Sequence, residues 1–244
     1  MESCTPDCYQ TTRAIPEFEC DPSLRLTAGG LLRIVQEVST RHCTLLGITM
    51  DRYQQTNTAF LLAKLCARVY EDIPAGAEVA VTSRPSGAIR AVYHRYTTLT
   101  LPDGRLAAAV DARWMLVDTR SRRILRRAPD ELGLPFDIGS VPEFPLRITR
   151  PEGPLTPAGQ ELAGYSRCDQ NRHMNNTRYA DILCDRLPLD RLEAGPIREL
   201  CLSYHREVPM GRTLSLFFRE TAPGAYYFLG REGDQDCFEA ALHF

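Results

Sequence analysis

The feature that most constrains this chain is that it repeats itself. Leu65-Cys66 is followed by Asp72, Pro74 and Gly76, and Leu200-Cys201 by Glu207, Pro209 and Gly211, all at one constant offset. Both copies continue as alternating strands, Glu78-Val-Ala-Val-Thr82 and Thr213-Leu-Ser-Leu-Phe217. A second correspondence lies upstream at a slightly larger offset. There Asp21 precedes Thr27 and a helical pattern, and Asp169 precedes Asn175 and another. Two matches in the same order argue for a duplicated unit whose copies differ by one short insertion. At ~150 residues per domain, a chain of 244 residues accommodates two such units.

Each unit reads as strand, turn, helix and then several strands. Leu31, Ile34, Val35 and Val38 recur at i, i+3, i+4 and i+7, one apolar helical stripe. Thr27 supplies an N-cap and Gly47 a stop. Strands are predicted at 59–71, 77–84, 88–100 and 105–118, with turns at Pro74-Ala-Gly76, Pro85-Ser-Gly87 and Asp103-Gly104. In the second copy a shorter helix starts at Asn175 or Asn176, turns Tyr179, Ile182 and Leu183 inward, and stops before Pro188. Strands follow at 198–207, 212–220, 225–231 and 236–243. Pro135, Pro142, Pro145, Pro151, Pro154 and Pro157 mark a linker between the copies. The expected division is an N-terminal unit at 1–130, a linker at 131–157 and a C-terminal unit at 158–244. A helix against a curved antiparallel sheet is an α+β layering, and two copies can pair their sheets edge to edge.

Composition excludes several classes. A net charge of −2 and a pI near 6.2 lack the basic surplus of a nucleic-acid binder. The N-terminus has no basic and apolar signal-peptide pattern, and no apolar run reaches the ~18 residues of a membrane span. Nine scattered cysteines, an odd number mostly inside apolar segments, read as reduced thiols in a cytoplasm, here of a bacterium. Cys4 and Cys8 have no second pair or nearby histidine to complete a zinc site. No motif implies a metal or an organic cofactor.

The most unusual segment is Asp169-Gln-Asn171-Arg-His173-Met-Asn175-Asn176-Thr-Arg178-Tyr179. Turn and capping chemistry accounts for part of it, with Asn175 or Asn176 as an N-cap. His173 is less easily absorbed. It stands close before a helix N-terminus, with Asn171 two residues and Asp169 four residues upstream. Backbone N–H groups at such a terminus stabilise a developing oxyanion.

This segment resembles the signature of the acyl-acyl-carrier-protein thioesterases. The strand Ser203-Tyr204-His205-Arg206-Glu207-Val208 is similar to that family's second motif, a Tyr-x-Arg-Glu strand. Phe18-Glu-Cys-Asp21, the first helix and Trp114-Met-Leu-Val-Asp118 look like its first domain, so the resemblance spans almost the whole chain. It implies two tandem hotdog domains, each a long helix wrapped by a curved antiparallel sheet, forming a pseudo-dimer within one chain. It also implies hydrolysis of fatty acyl-carrier-protein thioesters, ending fatty-acid synthesis. The functional positions then fall on Asp169, Asn171, His173 and Glu207. Glu207 is the expected general base on water, Asn171 and His173 hold that water or polarise the carbonyl, and Asp169 orients the cluster.

Many members place a cysteine directly after the glutamate; here that residue is Val208, which leaves direct hydrolysis without an acyl-enzyme. Cys168, Cys184 and Cys201 read as core. The first copy has Ser23, Arg25 and Asp72 at the matching positions, so one active site is expected, in the C-terminal half. The N-terminal half then forms the acyl pocket, with Val35, Val38 and Leu62 as candidate lining and Asn175 and Arg178 on the substrate side. The implied partner is an acyl-carrier protein bearing a phosphopantetheine-linked acyl chain. Arg120, Arg122, Arg123, Arg126 and Arg127 are a candidate dock for that acidic carrier, and Arg172 or Arg178 for its phosphate. An acyl-CoA thioesterase, a hotdog dehydratase and a non-enzymatic acyl-thioester binder are the competing readings. Monomer and homodimer both fit.

Overall fold

A computed structural model describes residues 2–137, 139 and 141–244. The apolar stripe read at Leu31–Val38 lies on α1 (Ala28–Leu45), where Leu31, Ile34, Val35 and Val38 are all buried. Thr27 accepts a hydrogen bond from Gly30 N at 2.9 Å, satisfying an N–H that the helix itself leaves open. Past the last turn, Gly47 adopts φ +79°, the left-handed conformation that ends helices. The first half continues with α2 (Met50–Thr56), the second contains α3 (Arg178–Cys184) and α4 (Leu189–Ala194). Tyr179, Ile182 and Leu183 of α3 are buried, as their spacing predicts.

Among the described residues, twelve strands form one sheet. They are β1 (Glu2–Thr5), β2 (Cys8–Ala14), β3 (Thr58–Val69), β4 (Glu78–Ile89), β5 (Val92–Thr100), β6 (Leu106–Asp118), β7 (Arg123–Ile124), β8 (Thr156–Leu162), β9 (Glu199–Tyr204), β10 (Thr213–Ala222), β11 (Ala225–Glu232) and β12 (Gln235–His243). The order is β1-β2-β4-β5-β6-β3-β9-β12-β11-β10-β8, with β7 appended to β6, and every pairing is antiparallel. The halves correspond strand for strand: β2-β4-β5-β6-β3 on one side of the centre, β8-β10-β11-β12-β9 on the other. At the centre Cys66 lies opposite Cys201, Leu65 opposite Leu202 and Ala67 opposite Leu200. Cys66 and Cys201, equated by the repeat, therefore meet at the centre of the join.

The helices α1 and α3 lie against each other on one face. Gly29 permits this approach: a Cβ there would stand 1.7 Å from Asp181 Oδ1. Arg33 fastens the contact with ion pairs of 2.6 Å to Asp181 and 2.6 Å to Glu19. One apolar core runs under both helices, from Tyr9 and Val79 to Phe228 and Phe238. No helix among the described residues is long and apolar enough to cross a membrane.

Two expectations are corrected. Pro85-Ser-Gly87 is not a turn but part of β4, which bonds to β2 only as far as Ser83. Beyond that residue the strand has a free side, where a proline lacking an N–H costs no ladder bond. The hairpin turns instead at Arg90 and Ala91, both at positive φ (52° and 70°). The strand expected at 198–207 ends at Tyr204, because His205 and Arg206 both donate to Cys237 O, at 2.8 and 3.0 Å, and break the register.

The segment after the first half crosses the opposite face of the sheet. Phe144 packs on Cys66, Ala109 and Cys201, and its N–H donates to Asp111 Oδ2 at 2.9 Å. Asp111 is 1% exposed and also accepts from Arg113 Nη2 at 3.1 Å. Asp111→Ala removes a buried charge from this network and leaves Arg113 and the Phe144 N–H without it, a change costing about 3 kcal/mol. Urea unfolding is expected to show that loss, and limited proteolysis faster cutting within 141–155.

Candidate active site

The loop that begins at Asp169 is closed by its own backbone. Asp169 N donates to His173 O at 3.0 Å, and Arg172 N to Asp169 O at 2.9 Å. Asp169 Oδ1 accepts Asn171 N at 2.9 Å, an Asx-type turn, and Arg172 takes φ +63° to complete the reversal. Asp169 thus shapes the loop that carries both Asn171 and His173.

The second strand of chemistry arrives from the far side of β9. After Tyr204 the chain leaves the sheet; Val208 is fully buried and its carbonyl accepts Met174 N at 2.9 Å. His173 and Pro209 form an isolated bridge. This pairing brings Glu207 onto the loop: His173 Nδ1 stands 3.3 Å from Glu207 Oε2. The two side chains are 30% and 50% exposed, so the pair is open to water and to a ligand. Asn171 is exposed, and among the described residues its side chain has no hydrogen-bond partner.

The rest of the segment is held by the core. Asn175 Oδ1 accepts Thr177 N at 3.0 Å and Thr177 Oγ1 at 2.7 Å, closing a turn rather than capping α3, which starts only at Arg178. Asn176 O accepts the Tyr204 hydroxyl at 3.0 Å, and burial pushes that phenol's pKa well above its usual value, so it stays a donor. Tyr179 stacks edge-on against Tyr204 and Phe238. Arg178 lies 3.7 Å from Asp181.

The first half repeats this loop with different side chains. Asp21 Oδ1 accepts Ser23 N and Arg25 N at 2.9 Å each, and Leu24 takes φ +59° where the second copy has Arg172. The bridges Cys20–Leu26 and Arg25–Pro74 match Cys168–Met174 and His173–Pro209. Yet Arg25 donates to Asp21 Oδ2 at 3.0 Å and to the Leu192 carbonyl at 2.9 Å, and Asp72 pairs with Arg198 at 3.4 Å. Side chains that meet as a pair in one half serve as separate tethers in the other.

A cavity of about 330 Å³ opens between the C-terminal part of α1 and strands β3 to β6. Its walls include Cys43, Tyr53, Phe60, Tyr93, Arg95 and Trp114, and Gln170 of the polar loop reaches it. Of these residues only Trp114 and Gln170 fall in the motifs read from sequence, neither as cavity lining. Alternation along β5 does flag Tyr93 and Arg95 as sharing one face. Val35 and Leu62 line a separate space of about 20 Å³ beside Asn176 and Thr177, and Val38 is packed in the core. Trp114 borders both spaces.

All nine cysteines are free. Burial pushes the Cys184 thiol up to about 12 and raises that of Cys168. Among the described residues Cys66, Glu199 and Cys201 could hold a metal, their ligand atoms lying within 4.8 Å of one another. Glu199 is already paired with Arg68 at 2.5 Å, and a hydrogen bond to Cys201, together with burial, raises the Cys66 thiol far above its usual range. A thiol held protonated is a poor ligand.

Known proteins agree with this architecture. Residues 6–134 match the family model for the acyl-ACP thioesterase N-terminal domain, and residues 163–235 that for the acyl-ACP thioesterase C-terminal domain. A chloroplastic dodecanoyl-[acyl-carrier-protein] hydrolase of Cinnamomum camphora is 23% identical over 228 residues, covering 84% of this chain; the match spans 58% of that protein's length. Among solved structures, an acyl-ACP thioesterase from Bacteroides thetaiotaomicron superposes with a TM-score of 0.86 at 20% identity, over 97% of both chains. The 12:0-ACP thioesterase of Umbellularia californica gives 0.84 at 18% identity, over 97% of this chain and 96% of that one.

The geometry separates shape from chemistry within the site. Asp169→Ala removes the acceptor that closes the loop and is expected to cost about 1 kcal/mol. Glu207→Gln alters a half-exposed group and is expected to stay within ~0.5 kcal/mol of the parent. Chemical denaturation of the two variants checks this; equal losses would contradict it.

Proposed function

The chain belongs to the acyl-ACP thioesterase family, and on that premise we propose that it hydrolyses the thioester of a fatty acyl chain carried on acyl-carrier protein. The observation that carries the reading is the Glu207–His173 pair, 3.3 Å apart, beside an uncommitted Asn171 on the His173 loop, whose Gln170 lines the cavity. The same correspondence of strands supports reading each half as a hotdog unit, with the two forming a pseudo-dimer at β3 and β9. The working division remains 1–130, 131–157 and 158–244.

In the proposed reaction Glu207 takes a proton from water as the water oxygen attacks the thioester carbonyl carbon. Asn171 and His173 position the water and donate to the oxygen on which charge develops. Collapse of the tetrahedral intermediate breaks the C–S bond, and the proton returns to the departing sulfur. The products are a free fatty acid and the carrier's phosphopantetheine thiol. Position 208 offers no nucleophile, since Val208 is apolar and fully buried. The acyl chain would occupy the first half, along the Trp114 wall.

The carrier would approach the exposed arginines at 120–127. Among the described residues only Arg127 of that group has an ion pair, to Asp130 at 3.1 Å. Arg172 and Arg178 flank the site and could meet the phosphate of the carrier's arm.

The test is hydrolysis of an acyl-carrier-protein panel from short to long chains, read as free acid and free thiol. The wild type is expected to turn over, and Glu207→Ala and His173→Ala each to fall by roughly 10²-fold. A wild type inert on every carrier-bound and CoA thioester would overturn the reading. Charge reversal at Arg120, Arg122 and Arg123 is expected to raise KM for the carrier-bound substrate far more than for a small acyl thioester. Equal changes would remove the docking assignment.

A further inference from the structure

The cavity contains a buried cation with no anion beside it among the described residues. Arg95 is 6% exposed and lines the space with Tyr93, Phe60 and Trp114. Its guanidinium donates to His42 Nδ1 at 3.0 Å, to Ser83 Oγ at 3.1 Å and towards Cys43 Sγ at 3.7 Å. None of these carries a negative charge. Burial lowers the His42 pKa, and its Nε2 stands 2.7 Å from Thr5 O, so the ring is neutral with its proton on Nε2 and an acceptor at Nδ1. Burial also raises the Cys43 thiol and the Tyr53 and Tyr93 phenols of this wall. Among the described residues Arg95 forms no ion pair, and the Phe136 ring centroid lies 5.7 Å from the guanidinium carbon.

A guanidinium keeps its charge and offers five N–H donors. Three are engaged, and two have no protein acceptor among the described residues. A packed protein rarely leaves such a group unmatched, because a buried lone charge is strongly unfavourable. Its place along the cavity indicates what would match it. Leu62 on β3 pairs with Trp114 on β6, which pairs with Tyr93 on β5, two residues from Arg95. At ~4.8 Å between strands, Arg95 lies about 10 Å across the sheet from β3. Gln170, adjacent to Asn171, reaches the same cavity from the exposed loop. An acyl chain whose thioester sits at Glu207 would run past Trp114 and end near the guanidinium.

We propose that the preferred acyl chain bears a carboxylate at the end remote from the thioester, and that Arg95 is the residue that binds it. The inference rests on the thioesterase reading for the reacting end of the chain. A carboxylate accepts two parallel N–H bonds from one guanidinium, which suits the two open donors. A plain alkyl terminus would leave the charge unmatched and be selected against.

The test is binding, so that it does not depend on turnover. Trp114 is the only tryptophan and borders the cavity, so its fluorescence reports occupancy. The probes are S-alkyl and S-(ω-carboxyalkyl) pantetheine thioethers of equal chain length, which no hydrolase can cleave. The wild type is expected to bind the ω-carboxy probe about 10-fold tighter or more at the matching length, the range set by a charge-assisted hydrogen bond. Arg95→Met is expected to abolish that advantage without lowering the thermal midpoint, and Arg95→Lys to keep part of it. Tighter binding of the plain alkyl probe at every length, a preference that survives Arg95→Met, or no binding of either probe would overturn the proposal. Hydrolysis of plain acyl-carrier thioesters alongside any of those results would leave the thioesterase reading standing and remove only this inference.

Discussion

The pairing of β3 with β9 is the joint on which the rest of the molecule depends. Each half alone would expose a long sheet edge, a template for unwanted association. Joined, the edges satisfy each other's backbone groups, and Cys66 meets its counterpart Cys201 at the centre. The same joint sets α1 beside α3, where Gly29 and the Arg33 ion pairs fix their separation. It also places the polar loop of the second half over the cavity of the first, with Gln170 as the shared residue.

Duplication explains how one chain holds two equivalent loops that carry different side chains. The backbone of the two Asp-led loops is the same down to the left-handed residue, Leu24 in one and Arg172 in the other. What differs is the side chains that the loop presents. Arg25 and Asp72 are drawn apart to Leu192 and Arg198, whereas His173 and Glu207 face each other. The first half has the longer helix and a hollow bounded by aromatic side chains. The side chains have diverged along a structural symmetry that the fold retains.

Much of this was legible in the sequence, because repeats, caps and apolar periodicity are local signals. The stripe of α1, the Thr27 cap, the Gly47 stop and the inward face of α3 follow directly from residue order. The polar segment announced itself by composition. Its partner was found by motif, but the loop that delivers Glu207 was not: the register break at His205 and Arg206 depends on Cys237, a distant carbonyl. The cavity was misplaced for a related reason. Periodicity tells which residues turn inward, and Val35, Val38 and Leu62 do, but not which inward residues border the larger cavity. Alternation places Arg95 on the Tyr93 face of β5, but that strand mixes polar and aromatic residues on both faces, so the sequence does not tell which face is buried.

The central claim is that two equivalent loops carry one active centre. It is tested most directly by kcat/KM on an acyl-carrier-protein substrate for Glu207→Gln set beside Asp72→Asn, its counterpart. The account expects a loss of roughly 10²-fold for Glu207→Gln. For Asp72→Asn it expects a change within about threefold, the scale of a ~0.5 kcal/mol surface effect. Comparable losses in both, or none at Glu207, would contradict it.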